Sequence, residues 1–275
     1  MSEGGEQAKH GGHPHGEGAQ KGGGRPMPGT GGMGSHEVDV FEYGGEKDGE
    51  RQKMNRRLFF QLLVFDTPSN LSPRACLESL GKALDASGIG GVIYEDAANP
   101  KGLGLLTFSE DPDDFVTKVR PIFAEGDLRG LVLKPEFTMM GRTYSSGYED
   151  NLVFWLIERP QNNVLGEETP WAVWYPLRRS GAFARLPGRE QGGILREHAV
   201  IGRAYGEAGL ATDIRLACHG IDMNDNEFVI GLIGKELYPL SHVVQTMRKT
   251  RQTSEYIVQM GPFFVGRVAH RSRPA

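Results

Sequence analysis

The stretch RLFFQLLVFDTPSNLSPRACLESLGKALDAS, residues 57–87, decides the fold. Residues 57–66 form a nearly continuous apolar run, which predicts a strand buried on both faces. Ser72 stands where an N-cap belongs and Pro73 at the first helical position. Cys76, Leu77, Leu80 and Leu84 follow at helical spacing, so a helix succeeds the strand. Working outward, GGVIYED (90–96) and LGLLTFS (103–109) predict two strands joined by the turn residues AANPKG. DPDDFVTKVRPIF (111–123) predicts a second helix with an acidic first turn, and GLVLKPEFTMMGRTY (130–144) a fourth extended segment. The order β-α-β-β-α-β is that of a ferredoxin-like unit.

The second half repeats this order. WAVWYPL (171–177) predicts a strand whose ladder stops at Pro176, and LPGREQGGILREHAVIGRAYG (186–206) a helix. Gly192 and Gly193 each cost that helix about 1 kcal/mol against alanine. DIRLACHGI (213–221) and NEFVIGLIG (226–234) predict two strands across a turn, YPLSHVVQTMRKT (238–250) a helix, and GPFFVGRV (261–268) a last strand. The expected fold class is α+β, with duplicated ferredoxin-like units whose sheets pack together or share edges. Its boundaries read as a disordered Gly/His-rich tail (1–54), a first half (55–147), a connector (148–170), a second half (171–268) and a C-terminal tail (269–275).

The tail rests on composition. The first fifty residues hold 16 of the 39 glycines and only two aromatics, Phe41 and Tyr43. Such a segment buries too little apolar area to offset its ordering entropy. Its His10, His13, His15 and His36 read as solvated, with loose metal holding as the alternative. The tail also lacks the apolar core of a secretory signal. A net charge of −4 gives no reason to expect nucleic acid as a partner. No apolar run is long enough to span a membrane. Cys76 and Cys218 form no metal or redox motif, and a reduced cytoplasmic setting fits them.

Three clusters carry candidate chemistry. In ILREHAVIGRAYG (194–206), His198 lies on a stripe with Ile194, Leu195, Ile201 and Tyr205, so it faces inward. On pattern alone, a lone inward histidine is more often a hydrogen-bonded core residue than a metal ligand. No His, Cys or carboxylate at three or four residues' distance completes a zinc set on that face. Haem iron, by contrast, needs only one axial imidazole from the protein. In WYPLRRSG (174–181), Tyr175, Arg178 and Arg179 read either as an aromatic rim and solvated turn, or as a redox-active phenol beside guanidinium groups that bind carboxylates. MRKTRQTSEY (247–256) again sets basic residues before Thr253, Ser254 and Tyr256.

These pieces together resemble the chlorite dismutase-like family of haem proteins, and most of all its coproheme decarboxylase branch. The motifs are YPLRRSG.F..LP..EQ..ILREH..IGRAY, D..DNEFVIGL, L..VV..MR and GPFFVG. They cover 171–267; the first half fits in its order of elements. The resemblance implies that the duplicated units form a dimeric α+β barrel, assembled in rings of five. It implies haem b or iron coproporphyrin III as cofactor, with His198 as the iron ligand. Tyr175 matches the tyrosine that, in the decarboxylase branch, becomes a radical and takes a hydrogen atom from a propionate. Arg179 stands where that branch has a lysine, and Phe183 where members often have a tryptophan. Arg178, Arg179, Arg248 and Ser254 are the implied propionate-binding positions, Ser254 with a one-residue insertion. Arg215 aligns with the distal position over the iron. The implied activity is peroxide-dependent decarboxylation of coproheme to haem b. Arg215 also suits a chlorite dismutase, and a non-catalytic haem-binding protein would keep His198 alone.

Overall fold

The computed structural model describes residues 38–275, apart from 125. Its first element corrects the expected tail. Strands β1 (Glu42–Lys47) and β2 (Glu50–Met54) form an antiparallel hairpin turning at Asp48 and Gly49, both with positive φ. Polar bonds to a distant loop hold it. Gly45 N–H and Gln52 Nε2 donate to Glu149 O at 2.8 and 2.9 Å. Glu42 accepts from Ser145 N–H at 3.0 Å and pairs with Arg142 at 3.1 Å. Residues 1–37 and their four histidines lie outside the described residues.

The first half then runs β3 (Phe59–Asp66), α1 (Pro73–Ser87), β4 (Gly90–Asp96) and β5 (Gly102–Ser109). A π turn (Phe115–Val119) leads into α2 (Arg120–Ile122). Pro73 is at the start of α1 as expected, although the Ser72 side chain makes no cap bond. The extended segment expected over 130–144 is broken. It splits into β6 (Val132–Leu133) and β7 (Met139–Arg142), with a 3-10 turn at Pro135–Phe137 between them. The connector is helical: a π turn (Phe154–Glu158) continues into α3 (Arg159–Leu165).

The second half follows with β8 (Trp171–Arg179), α4 (Gly181–Ala184), α5 (Gly188–Glu207) and β9 (Thr212–Ala217). It ends with β10 (Phe228–Gly234), α6 (Leu237–Met247), a π turn (Gln252–Tyr256), β11 (Ile257–Met260) and β12 (Phe264–Ser272). Pro176 does not stop β8. It stays in register opposite Val229 and its carbonyl accepts Gly261 N–H at 2.9 Å. The expected C-terminal tail at 269 starts too early, because β12 pairs with β4 as far as Ser272. Helix α5 forms through Gly192 and Gly193, where an added Cβ would meet nothing.

The strands run β10-β9-β7-β3-β5-β4-β12-β8, and β8 pairs again with β10, so the sheet closes on itself. Each half contributes four strands to the closed ring, with its first and third at the centre, and a short fifth strand beside its first: β6 pairs with β3 and β11 with β8. The halves meet along two seams. Along β4–β12 the register is extensive, from Gly266↔Asp96 to Ser272↔Gly91. Along β7–β9 there is one bridge, Arg142↔Ala217. Beside that bridge, side chains replace the ladder. Met140 N–H donates to Asp222 Oδ2 at 3.3 Å, and Asn224 Nδ2 donates to Thr138 O at 3.3 Å.

Alternation along each strand separates three apolar layers. Phe60, Leu62, Val64, Tyr94, Trp174, Ile214 and Phe264 fill the barrel interior, joined by Leu156, Ile157, Val164 and Leu165 of the connector. Glycines make room for the large rings: a Cβ on Gly231 would sit 2.4 Å from Trp174, and one on Gly104 2.5 Å from Phe264. Helix α1 and the α2 segment cover the outer face of the first half. Helices α5 and α6 cover that of the second. Among the described residues no helix is long and apolar enough to cross a membrane.

Candidate functional site

The site is built on the outer face of the second half. On β8, Trp174 points into the barrel, so Val173, Tyr175 and Leu177 point out toward α5 and α6. Tyr175 lies opposite Ile230, and Ile230 lies opposite Arg215. The three form one cross-strand row on one face. The adjacent row is Val173, Leu232 and Asp213. Tyr175 is buried and stacks on Phe263, ring centroids 4.7 Å apart and planes 24° apart. Burial pushes its phenol well above the ordinary tyrosine value. The Asp213 charge adds to this and Arg248 partly offsets it. The phenol is therefore protonated throughout the physiological range.

Helix α5 covers this face through Ile194, His198, Ile201 and Tyr205, spaced four, three and four residues apart. Leu195, expected on that stripe, is exposed instead. It is one residue beyond Ile194, about 100° round the helix. His198 is half-buried against the segment after α6. Its Nδ1 is 3.0 Å from Thr250 Oγ1 and its Nε2 3.3 Å from Thr253 Oγ1. Burial lowers its pKa below the ordinary histidine value, against the raising effect of Glu197. Glu197 also accepts Arg251 N–H at 2.9 Å, which locks the two segments together.

The basic residues divide. Arg179 is committed: both its Nε and Nη2 bond Glu227, the latter at 2.5 Å, and its backbone N–H donates to the same carboxylate at 3.0 Å. Phe183 and Phe228 sandwich its guanidinium at 4.5 and 4.6 Å. Arg178 donates to Asn224 O at 2.9 Å, while its Nε is buried with no hydrogen-bond partner. These two arginines line an open cleft of about 420 Å³ with Phe183, Gln191, His219 and Glu227. Tyr175, His198, Arg215, Arg248 and Ser254 do not line it. Arg215 is half-exposed and pairs with Asp213 at 3.3 Å; Arg159 of α3 holds the same carboxylate at 3.0 Å. Arg248 is exposed at the end of α6, and Ser254 Oγ donates to Thr250 O at 2.9 Å.

The donor set suits an iron porphyrin better than a bare metal ion. Among the described residues no three His, Cys, Asp or Glu side chains come together as metal ligands. His198 offers a single neutral imidazole, and the orphaned Arg178 Nε offers a donor for a carboxylate. Between α5 and the sheet, Tyr175, Ile201, Tyr205 and Phe263 pack in one apolar layer. A flat macrocycle would enter by parting that layer. Thr250, Thr253, Asp213 and Glu227 are site residues that the sequence reading did not assign. Glu227 and Asp213 act across strands, so only the sheet register places them.

A closed barrel of two ferredoxin-like halves, with His198 on α5 and the buried Tyr175 on β8, defines the class of protein. The family model described as chlorite dismutase matches residues 103–269, more than half of the chain, and the chain belongs to that family. Among solved structures, a variant of the chlorite dismutase from Candidatus Nitrospira defluvii is similar at TM-score 0.62 and 13% identity. It covers 78% of this chain and 93% of that one. A heme-binding protein from Thermus thermophilus is similar at TM-score 0.59 and 17% identity, over 78% of this chain and 91% of that one. At these identities the likeness is one of fold. No curated protein matches the chain.

Proposed function

We propose that the chain is a coproheme decarboxylase, which binds iron coproporphyrin III through His198 and converts two of its propionates to vinyls, giving haem b. The observation that carries this reading is Tyr175, a buried, protonated phenol on the sheet face that α5 covers. Family membership and the heme-binding neighbour support the cofactor class. Each propionate consumes one hydrogen peroxide and one proton, and releases one vinyl, carbon dioxide and two waters. The iron porphyrin supplies the oxidising power drawn from peroxide.

The chain's own residues do the rest. Tyr175 gives up its phenolic hydrogen atom and then takes one from the propionate side chain. Its raised pKa keeps that hydrogen in place until oxidation removes it, and Phe263 excludes water from the ring face. Arg178 holds a propionate carboxylate through the Nε that is otherwise unbonded. Arg248 completes propionate binding, and Ser254 and Arg179 do so once Thr250 O and Glu227 release them. Arg215, on the Tyr175 row and paired with Asp213, would supply a cation toward the negative charge that develops as the peroxide O–O bond breaks. Rings of five and a cytoplasmic setting belong to the same reading.

The place of Arg215 also favours a second reading, a chlorite dismutase, in which the guanidinium holds an oxychlorine species. Incubation with ferric coproporphyrin and peroxide, followed by mass spectrometry, separates the two. Two successive losses of one carboxyl group support the decarboxylase. Intact porphyrin together with oxygen release from chlorite would replace it with the second reading. Binding without either reaction would leave a haem carrier.

A further inference from the structure

Thr250 is buried at the turn after α6, and its hydroxyl has one hydrogen to give. Thr250 Oγ1 lies 2.8 Å from Met247 O and 3.0 Å from His198 Nδ1. A carbonyl oxygen only accepts, so the hydrogen in the shorter contact belongs to Thr250. Met247 O, at the C-terminus of α6, accepts Thr250 N–H at 3.1 Å on one lone pair and the hydroxyl hydrogen on the other, which closes the turn and gives the hydroxyl a fixed use. The lone pairs of Oγ1 then face Nδ1, and Nδ1 must carry the imidazole hydrogen. Nε2 is left with its lone pair, and the Thr253 hydroxyl donates to it from 3.3 Å.

We infer that Thr250 is a positioning residue that fixes the tautomer and orientation of His198, presenting Nε2 for coordination while Thr253 occupies that lone pair in the ligand-free protein. The inference rests on the reading of His198 as the iron ligand. Its chemistry is that of an outer partner which orients a metal-bound imidazole, here a neutral hydroxyl anchored to a helix end. The Glu197 bond to Arg251 N–H fixes the spacing between α5 and this turn, so the geometry does not depend on the Thr250 contact alone.

The test begins without cofactor. Nitrogen NMR of the haem-free protein, at a pH where His198 is neutral, reads which ring nitrogen bears hydrogen. Nδ1–H is expected in the wild type, and Nε2–H there would overturn the inference at once. Thr250→Ser should keep Nδ1–H, and Thr250→Val, which matches the shape but has no hydroxyl, should lose the preference. With haem b as probe, Thr250→Val should bind about 10- to 100-fold more weakly. The iron–histidine stretch of its ferrous form should fall in frequency, and Thr250→Ser should restore both. Unchanged affinity and stretch in Thr250→Val would overturn the inference even if the tautomer shifted. His198→Ala with wild-type haem spectra would instead overturn the ligand assignment, and leave the tautomer result standing.

Discussion

Arg179 and Glu227 hold each other in a bidentate pair, with the guanidinium sandwiched between two phenylalanine rings. The carboxylate would rise with burial, but the bonds from Arg179 more than reverse this and keep it below its ordinary range. Arg179→Lys should therefore not behave as a neutral change. Lysine keeps the charge but loses the planar fork and most of the ring stacking. A loss of about 1–2 kcal/mol of stability is expected from urea unfolding. A lysine variant as stable as the wild type would mean that the pair is not formed in solution.

Tyr175→Phe should separate chemistry from folding. The stack on Phe263 survives the change and only the hydroxyl is lost. Stability should stay within about 1 kcal/mol. Decarboxylation should fall at least about 100-fold, the equivalent of ~2.7 kcal/mol in the barrier. Normal turnover in this variant would remove Tyr175 from the reaction.

Glu149 predicts the acid limit of the hairpin. Burial would raise its carboxyl, but bonds from the Ser145 and Ser146 hydroxyls and from backbone N–H groups hold it at about 2. The folded value lies below the unfolded one, so its contribution is complete above pH ~4.5 and drains away as the pH falls toward ~2. That contribution is roughly 2–3 kcal/mol at neutral pH. Glu149→Gln should lose it and flatten the stability profile over that window. A variant with the same acid slope as the wild type would assign the slope to other carboxylates.

Gly231→Ala should destabilise through overpacking. Its Cβ would press on the Trp174 ring inside a barrel with no slack on that side. A cost of about 1–3 kcal/mol is expected from thermal or denaturant unfolding. Wild-type stability would show that the Trp174 ring can move aside.

The repeated order of elements was legible because both halves carry apolar runs long enough to be buried on both faces. His198 was legible as an inward residue because it falls at helical spacing with Ile194, Ile201 and Tyr205, and the motifs around it supplied the family. The hairpin at 42–54 was not legible, because hydrogen bonds to residues a hundred positions away hold it, and its own sequence is polar and glycine-rich. The break in 130–144 was hidden by an apolar, extended-looking stretch that Pro135 divides. The role of Thr250 could not be read at all: it depends on where one hydroxyl hydrogen goes, and that is settled by a helix-end carbonyl three residues earlier.

The two seams of the barrel are unequal in kind. One is a zipper of backbone bonds along β4–β12, which no single side chain can undo. The other hangs on Arg142↔Ala217 and on two side chains, Asp222 and Asn224, that act as rivets. The ring is thus hinged on one side and fastened on the other. Amide hydrogens of β7 and β9 should exchange sooner than those of β4 and β12, and Asp222→Ala should widen that gap without touching the hinge. The fastening lies at the end of β9 and in the loop that follows it, and β9 carries Asp213 and Arg215, so wear at the rivets would reach the face of the site that those two residues occupy.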